Sequence, residues 1–269
     1  MRRTLALLVF GGLLMALTAA PALAQDGGKV TVVHGVPDLT VDVYVNGDLT
    51  LEDFEFGDIA GPLDLPAGDY DLAITAADDD IANAVLEGTA TVTDGLNASI
   101  VAHLQADGTP TITIYANDTS TIDAGNGRLV VRHDAAAPAV DIFADGGALI
   151  EDLANPDEAQ ADVPAASYAV VIAPAGAGID EQVFDAGSVE VVEGTSRIVY
   201  AIGDLAGGSF TLAVQDISGL GAQAEEAPDA VAAGEGALPG SGFPVAAIAL
   251  ALLGIVAIGI GVPAVRRNR

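Results

Sequence analysis

The stretch Val41-Asp-Val-Tyr-Val-Asn-Gly47 decides the fold of this chain. Its three valines alternate with Asp42 and Tyr44, which is the period of two expected of a half-buried β-strand. Asn46-Gly47 follows at once, and this dipeptide favours a type I′ hairpin turn because both turn positions need positive φ. The stretch therefore predicts a strand that leads into a hairpin.

The same pattern returns further along the chain, at Val140-Asp-Ile-Phe-Ala-Asp-Gly146, with an offset of 99 residues. The residues before it match as well, since His34 corresponds to His133 at the same offset. Later matches, at an offset of 98, are Leu65-Pro66-Ala67 and Tyr70 with Val163-Pro164-Ala165 and Tyr168, and Ile112-Thr-Ile114, Asp118 and Ser120 with Phe210-Thr-Leu212, Asp216 and Ser218. The chain therefore contains an internal duplication.

Both copies read as short alternating runs bounded by turn residues, and no sustained helical period precedes residue 243. Further predicted strands in the first copy are 30–34, 70–76, 84–93, 98–105 and 110–115. We expect an all-β fold of two tandem antiparallel β-sandwich modules, immunoglobulin-like and of about seven strands each. The cysteine and tryptophan of immunoglobulin domains are absent. Stability must therefore come from core burial, and each module is expected to fold separately.

The N-terminus predicts export. Two arginines are followed by an apolar run and then by Pro21-Ala-Leu-Ala24 before Gln25. A positive start, an apolar middle and an Ala-x-Ala exit are typical of a secretory signal. We therefore expect residues 1–24 to be a signal peptide, cleaved between Ala24 and Gln25.

The C-terminus predicts a membrane anchor. The segment 243–265 runs for 23 residues without a charge, and about 20 apolar residues suffice for a membrane-spanning helix. Three arginines in the tail 266–269 place that end in the cytoplasm and the preceding chain outside. Residues 219–242, rich in Ala, Gly, Glu and Pro, are expected to form a flexible stalk. The predicted modules are residues 27–118 and 128–218, joined by a linker at 119–127.

The pentapeptide Leu238-Pro-Gly-Ser-Gly242 resembles the sorting signal of Gram-positive surface proteins, in which LPxTG precedes an apolar span and a basic tail. The resemblance implies that a sortase would cut between Ser241 and Gly242 and join the protein to the cell wall. Leu238 and Pro239 match the motif, whereas Ser241 stands where that family has Thr. Simple retention as a membrane anchor is the alternative.

The duplicated pattern resembles the repeat of domain-of-unknown-function family 4397. The features that carry the resemblance are a strand ending in His, a loop with Pro, the motif at 41–47 and Leu65-Pro-Ala-Gly-x-Tyr70. The second copy departs from the pattern at Ala166, where Gly is expected. The resemblance implies a secreted or surface location and a β-rich fold, and it implies no activity, catalytic residue or cofactor.

Charge excludes one class of partner. All 38 acidic residues lie between residues 25 and 242, where only Lys29, Arg128, Arg132 and Arg197 oppose them. The exported part therefore carries about −34 at neutral pH. Nucleic acid is excluded as a partner because its phosphates require Lys and Arg.

The three histidines are candidates for chemistry, since a histidine can act as a base or bind a metal. His34 and His133 occupy equivalent strand ends, and we expect each ring to bond the loop that follows it. Asp38 lies near His34, but its counterpart is Ala137, so the duplication does not preserve a His–Asp pair. His103, inside a predicted strand, is expected to be a packed residue.

The densest carboxylate cluster is Asp78-Asp-Asp80, which could hold Ca²⁺ or could be a solvated turn. It lacks the spacing of an EF-hand loop, and the second copy has Gly176-Ala-Gly178 instead, so a turn is favoured. The sequence contains no Gly-x-Ser-x-Gly elbow, His-Glu-x-x-His motif, phosphate loop or dinucleotide fingerprint. We predict no catalytic, cofactor-binding or metal-binding residue.

These observations predict a non-enzymatic protein of the cell surface, held by its C-terminal helix, with a structural, adhesive or interaction role at the cell envelope. The sequence does not identify its extracellular partner. The alternative is a ligand- or carbohydrate-binding protein that uses loops at one end of a sandwich, where function often gathers. Its small number of aromatic residues weighs against a sugar-binding platform.

Overall fold

The structure, a computed structural model, describes residues 27–222, which fold into sixteen β-strands and two short 3-10 helices. Eight strands form the first half of this region. They are β1 (Gly28–His34), β2 (Val41–Val45), β3 (Asp48–Phe54), β4 (Ile59–Leu65), β5 (Gly68–Ala76), β6 (Leu86–Val92), β7 (Asn97–Leu104) and β8 (Pro110–Ala116).

The second half repeats this order. Its strands are β9 (Asn126–Ala136), β10 (Val140–Ala144), β11 (Gly147–Leu153), β12 (Glu158–Pro164), β13 (Ala166–Pro174), β14 (Phe184–Val191), β15 (Ser196–Asp204) and β16 (Thr211–Ile217). The 3-10 helices Ile81–Asn83 and Ile179–Glu181 also occupy matching places. The all-β prediction is confirmed, with eight strands in each half where about seven were expected.

Each half is a sandwich of two four-stranded sheets. The outer sheets have the orders β3-β2-β5-β6 and β11-β10-β13-β14. The inner sheets have the orders β4-β1-β7-β8 and β12-β9-β15-β16. Adding eight to each strand number converts the first half into the second.

The predicted hairpins are present in both halves. Asn46 and Gly47 have φ of 53° and 87°, and Asp145 and Gly146 have 48° and 81°. Two successive positive φ values are what a type I′ turn requires. These turns join β2 to β3 and β10 to β11.

The prediction of purely antiparallel sandwiches is wrong for the inner sheets. β1 pairs with β7 in parallel, and β9 pairs with β15 in parallel. The paired strands are far apart in the chain, so no turn signal marks their direction, and parallel pairs require long crossover connections. The outer sheets are antiparallel throughout.

β4 was not predicted from the sequence. It contains Gly61-Pro62, and proline within a run argues against a strand unless the strand lies at a sheet edge. β4 lies at an edge, and its register with β1 shifts between Val30 and Val32. The edge position and the shift together accommodate the proline.

Each sandwich encloses its own aliphatic core. In the first half, Val30 and Ile100 of the inner sheet pack with Leu72 and Val92 of the outer sheet. This core contains an apolar cavity of about 40 Å³, partly lined by Ala90. In the second half, the rings of Phe184 and Phe210 meet edge to face at 5.0 Å, beside the equivalent core cluster.

The two inner sheets also pack against each other, which makes the described region a stack of four sheets. A third buried cluster takes residues from both halves, namely Val33, Val101, Tyr115, Val130, Ile198, Tyr200, Ile202 and Ala213. We call this shared layer the joint. Three of its strands, β7, β9 and β15, are buried along nearly their whole length. The expectation that each module folds separately stays a prediction, which a fragment of one half can test.

The segment between the halves is also packed. Ile122 is fully buried, its N–H donates to Leu220 O at 2.8 Å, and its carbonyl accepts from Ala222 N at 2.9 Å. The predicted linker at 119–127 thus pairs with the start of the predicted stalk. Within residues 27–222 no helix has the length and apolar character needed to cross a membrane. The predicted signal peptide, the stalk beyond residue 222, the span 243–265 and the tail lie outside the described residues.

Candidate functional site

His34 and His133, the histidines preserved by the duplication, are bonded within the fold. His34 Nε2 lies 2.8 Å from Leu39 O, and His133 Nε2 lies 2.9 Å from Pro138 O. A carbonyl oxygen only accepts, so Nε2 carries the hydrogen in both rings. Burial lowers the pKa of both imidazoles, which favours their neutral form. The predicted contact between each ring and the loop that follows it is confirmed.

The duplicated Asp42 connects β3 to the turn that follows β5 in the first half. Its Oδ1 accepts from Asp53 N at 2.9 Å, and its Oδ2 accepts from Asp78 N at 3.0 Å. Asp53 and Asp78 have positive φ, 53° and 63°. The buried carboxylate therefore binds two backbone segments whose left-handed conformation is unusual for a residue with a side chain.

Asp141 does the same in the second half. Its two oxygens accept from Asp152 N and Gly176 N, each at 2.8 Å. Gly176 has φ of 76° and takes the place of Asp78, so the second copy meets the same backbone requirement without a carboxylate. The repeated aspartates are therefore structural.

The carboxylate cluster at 78–80 is an exposed turn. Asp79 Oδ1 accepts from Asn83 Nδ2 at 2.7 Å and from Asp80 N at 2.8 Å, and these bonds lower the pKa of Asp79. The next carboxylate, Asp80, caps the following 3-10 helix through Ala82 N. Within residues 27–222 no group of three or more acidic or histidine side chains is arranged to hold a metal ion.

The repeated tyrosines also serve the fold. Tyr70 Oη donates to Pro66 O at 2.8 Å, and Tyr168 Oη donates to Pro164 O at 2.7 Å. Each bond closes the tight connection that enters β5 or β13. The polar residues that the two copies share therefore stabilise the sandwich. Polar residues with other contacts are found where the copies differ in sequence.

The two copies differ most in the joint, and Arg132 is its centre. The Arg132 side chain is buried, with its guanidinium carbon 4.2 Å from the centroid of the Tyr115 ring and 5.3 Å from that of Tyr200. Its nitrogens donate to Glu158 Oε2 at 2.9 Å, Tyr200 Oη at 2.9 Å and Asn117 Oδ1 at 2.8 Å. Asn117 and Tyr115 belong to the first half, so this single cation connects the two halves.

Tyr200 extends the network towards β1. Its Oη lies 2.6 Å from Gln215 Oε1 and 2.8 Å from Ser99 Oγ, and Gln215 Nε2 donates to Thr31 Oγ1 at 3.1 Å. Burial raises the pKa of Tyr200, so the phenol keeps its proton. Ser99 and Thr31 belong to the first half and Gln215 to the second, which adds a second polar connection across the joint.

Asp134 forms the third connection. Its Oδ1 lies 2.6 Å from Tyr115 Oη, which is also 2.7 Å from Pro156 O. His103 Nε2 lies 3.7 Å from the same Oδ1 and 2.8 Å from Thr113 Oγ1. Asp134 and His103 are fully buried, and burial raises the pKa of both the Asp134 carboxyl and the Tyr115 phenol. The packed position predicted for His103 is confirmed.

The joint suits cohesion better than catalysis. Arg132, Asp134, Tyr115 and Tyr200 are buried and bonded within the joint, so a substrate would have to separate the two sheets to reach them. A shallow groove of about 490 Å³ near Gly27 and Asn97 contains one cation, Lys29, which is paired with Asp64 at 2.7 Å. That groove has no convergent set of reactive groups.

Sequence reasoning missed the joint, although one signal pointed to it. At the offset of 99, Arg132 corresponds to Val33 and Asp134 to Gly35. Charged residues that replace small or apolar ones in a duplicated strand mark a place where the copies meet different surroundings. The predicted processing residues Ala24, Gln25, Leu238, Pro239, Ser241 and Gly242 lie outside the described residues.

Comparison with known families agrees with part of this description. The family model described as a domain of unknown function, DUF4397, matches residues 28–143. A DUF4397 domain is therefore present there, spanning the first half and continuing through β9 into β10. No curated protein matches the chain.

Proposed function

We propose that this protein is a non-enzymatic component of the cell surface, in which two sandwiches form one stiff body with a structural, adhesive or interaction role at the envelope. The observation that carries the proposal is the joint. Its polar side chains, above all Arg132 and Asp134, are buried and form hydrogen bonds between the two halves.

The proposal includes a second domain of the same family at residues 128–218. Its support is the repeated strand order and the repeated bonds of His133, Asp141 and Tyr168. Two domains that bury a face against each other change their relative orientation less than two domains joined only by a flexible linker. Such a body would suit holding a binding partner, or a neighbouring envelope layer, at a set distance.

The attachment is part of the same proposal. Cleavage between Ala24 and Gln25 would remove the signal peptide after export. Residues 243–265 would then anchor the two sandwiches to the outside of the membrane, with 266–269 in the cytoplasm. Sortase action between Ser241 and Gly242 would place them on the cell wall instead. The charge of about −34 favours partners other than nucleic acid.

The location is tested by producing the full chain, and a matched chain that ends at residue 242, in a bacterial host. Protease added to intact cells should digest the full-length product from outside, whereas the shortened product should appear in the medium. A Ser241→Ala variant separates the two modes of attachment, because it should move wall-linked protein to the membrane fraction. A full-length product that resists protease until the cells are broken would contradict surface display.

The role is tested on the same cells. Adhesion of cells to one another or to a solid surface should depend on the full chain and should drop when Arg132 is replaced, since that change loosens the body without altering its outer surface. A glycan array probed with the purified exported part tests the rival. Saturable sugar binding that survives replacement of Arg132 would favour a carbohydrate-binding protein.

A further inference from the structure

Tyr115 makes short contacts with both Asp134 and the carbonyl of Pro156. The hydrogen atoms available for these two contacts depend on whether Asp134 carries a proton. Tyr115 Oη lies 2.6 Å from Asp134 Oδ1 and 2.7 Å from Pro156 O. A phenol has a single hydrogen, and the Pro156 carbonyl can only accept. If Asp134 were ionised, it too could only accept, and one of the two short oxygen–oxygen contacts would lack a hydrogen.

A proton on Asp134 supplies a hydrogen for both short oxygen–oxygen contacts. Oδ1–H then donates to Tyr115 Oη, which donates its own hydrogen to Pro156 O. The other carboxyl oxygen, Oδ2, is buried and has no hydrogen-bond partner. An unpartnered oxygen costs less free energy on a neutral acid than on a carboxylate, because burial penalises charge most.

The neighbouring histidine fits this arrangement as a neutral ring. His103 Nδ1 lies 3.0 Å from Leu104 O, which can only accept, so Nδ1 carries the hydrogen. Thr113 can then donate its hydroxyl hydrogen to Nε2 over 2.8 Å. The distance of 3.7 Å from Nε2 to Asp134 Oδ1 is too long for a hydrogen bond.

The charged and titratable groups around Asp134 come from every strand packed against it. They are His103 on β7, Tyr115 on β8, Arg132 on β9 itself, Glu158 on β12 and Tyr200 on β15. Burial has the largest effect on the Asp134 pKa and raises it, and Glu158 raises it too. A charge on His103, a hydrogen bond donated by Tyr115 and the charge of Arg132 act in the opposite direction. Arg132 donates hydrogen bonds to Glu158, Tyr200 and Asn117 and none to Asp134.

We propose that Asp134 is a protonated carboxylic acid in the folded protein at neutral pH, and that this proton couples the joint to external pH. Asp134 belongs to the second half and Tyr115 to the first, so the proton completes a bond between the halves. The sign follows from linkage. A raised folded pKa means that the contribution of Asp134 to stability is greatest at acid pH and falls as pH rises above the unfolded value of about 3.9.

The test compares the full chain with Asp134→Asn in a detergent without carbonyl groups, by thermal unfolding from pH 4 to 9. The Asn amide can donate to Tyr115 as the acid does, and it never ionises. The folding equilibrium constant of wild type relative to D134N should therefore fall about tenfold per pH unit, from pH ~4 up to the folded pKa. The slope is diagnostic because any cost of the amide itself does not change with pH. A ratio that stays constant between pH 5 and 8 would mean that Asp134 is ionised, and would overturn the proposal.

Infrared spectroscopy of wild type keeps the proposal testable if D134N fails to fold. At pH 7 wild type should show the carbonyl stretch of a protonated carboxylic acid, and Tyr115→Phe should shift its frequency by removing the hydrogen-bond partner. The matched control is Tyr70→Phe, which removes an equivalent tyrosine–carbonyl bond far from the joint and should leave the band unchanged. Absence of an acid band from wild type at pH 7 would refute the protonated state.

Discussion

The guanidinium carbon of Arg132, in the second half of the protein, lies 4.2 Å from the centroid of the Tyr115 ring, in the first half. The centroid of the Tyr200 ring, on the neighbouring strand β15, lies 5.3 Å from the same guanidinium carbon. The joint is therefore built around a cation between two aromatic rings. Removing that cation should lower the free energy of unfolding.

Replacing Arg132 by Met should destabilise the described region by about 2–3 kcal/mol, because the buried Tyr200 and Asn117 groups would lose a donor. The pair with the more exposed Glu158 should contribute less. Thermal or denaturant unfolding measures the loss. The matched control is Arg197→Met, which removes an ion pair with Asp216 nearer the surface and should cost about 1 kcal/mol or less. Equal losses in the two variants would mean that the joint contributes nothing special.

The first half alone, residues 27–118, should be far less stable than the whole described region. Without the second half, Val33, Val101 and Tyr115 would face water, and such an apolar face also promotes association. Sedimentation together with thermal unfolding tests this. A monomeric fragment that unfolds cooperatively at the temperature of the intact protein would show that the sandwiches fold separately, as the sequence suggests.

Ala90→Val should stabilise the first half by about 1 kcal/mol, since it adds apolar atoms beside the cavity of about 40 Å³. The register supports the choice, because Ala90 pairs with Tyr70 as Val189 pairs with Tyr168 in the second half. The reciprocal change, Val189→Ala, should cost about as much. If Ala90→Val lowers the unfolding temperature, the core cannot take the larger side chain.

The buried histidines should make the protein sensitive to acid. Because the folded pKa values of His34 and His133 are lowered, their contribution to stability is complete above the unfolded value of about 6.5 and is lost as pH falls below it. His34→Gln, whose amide can still donate to Leu39 O, should reduce the decline in unfolding temperature between pH 7 and 5. An unchanged decline in the variant would assign the acid sensitivity to other groups.

Salt should stabilise a protein made of residues 25–242, because about thirty-four uncompensated negative charges repel one another. The screening length falls from ~10 Å at 0.1 M to ~3 Å at 1 M salt. Unfolding temperature should rise with sodium chloride over that range, and potassium chloride should act alike. Stability that is independent of salt but rises sharply with micromolar calcium would indicate a specific carboxylate site, and Asp78→Asn would test the cluster at 78–80.

Local features of the fold were predictable and long-range ones were not. Asn46-Gly47 favours a type I′ turn and the alternation of residues 41–45 favours a strand, so both hairpins could be predicted from the sequence. The burial of Asp42 could not, because it depends on bonds to Asp53 and Asp78. The parallel pairing of β1 with β7 depends on segments some sixty residues apart, and alternation looks the same in either direction. β4 escaped notice because its proline is acceptable only at a sheet edge, and edges are defined by the complete sheet.

The joint was harder to predict because its residues look ordinary one at a time. Tyr115 and Tyr200 are spaced like core residues, and Arg132 reads as a solvated charge until the second sheet covers it. What the sequence does contain is the comparison between the copies, in which His34 and His133 keep one role while Val33 and Arg132 diverge. A duplicated chain thus separates residues that build the fold from residues that join the copies.

The parallel pairs also give this body two unlike poles. Because β7 runs alongside β1 and β8 returns, Gly28 and Ala116 come to the same end of their sheet, and Arg128 and Ile217 do so in the second half. The chain therefore passes into and out of both sandwiches through one pole, where Ile122 and Gly221 pair. The opposite pole includes the turns at Gly108 and Gly208, where an added Cβ atom would meet nothing within 4 Å. These two turns can therefore change in sequence without interrupting the path by which the chain crosses from one sandwich to the next.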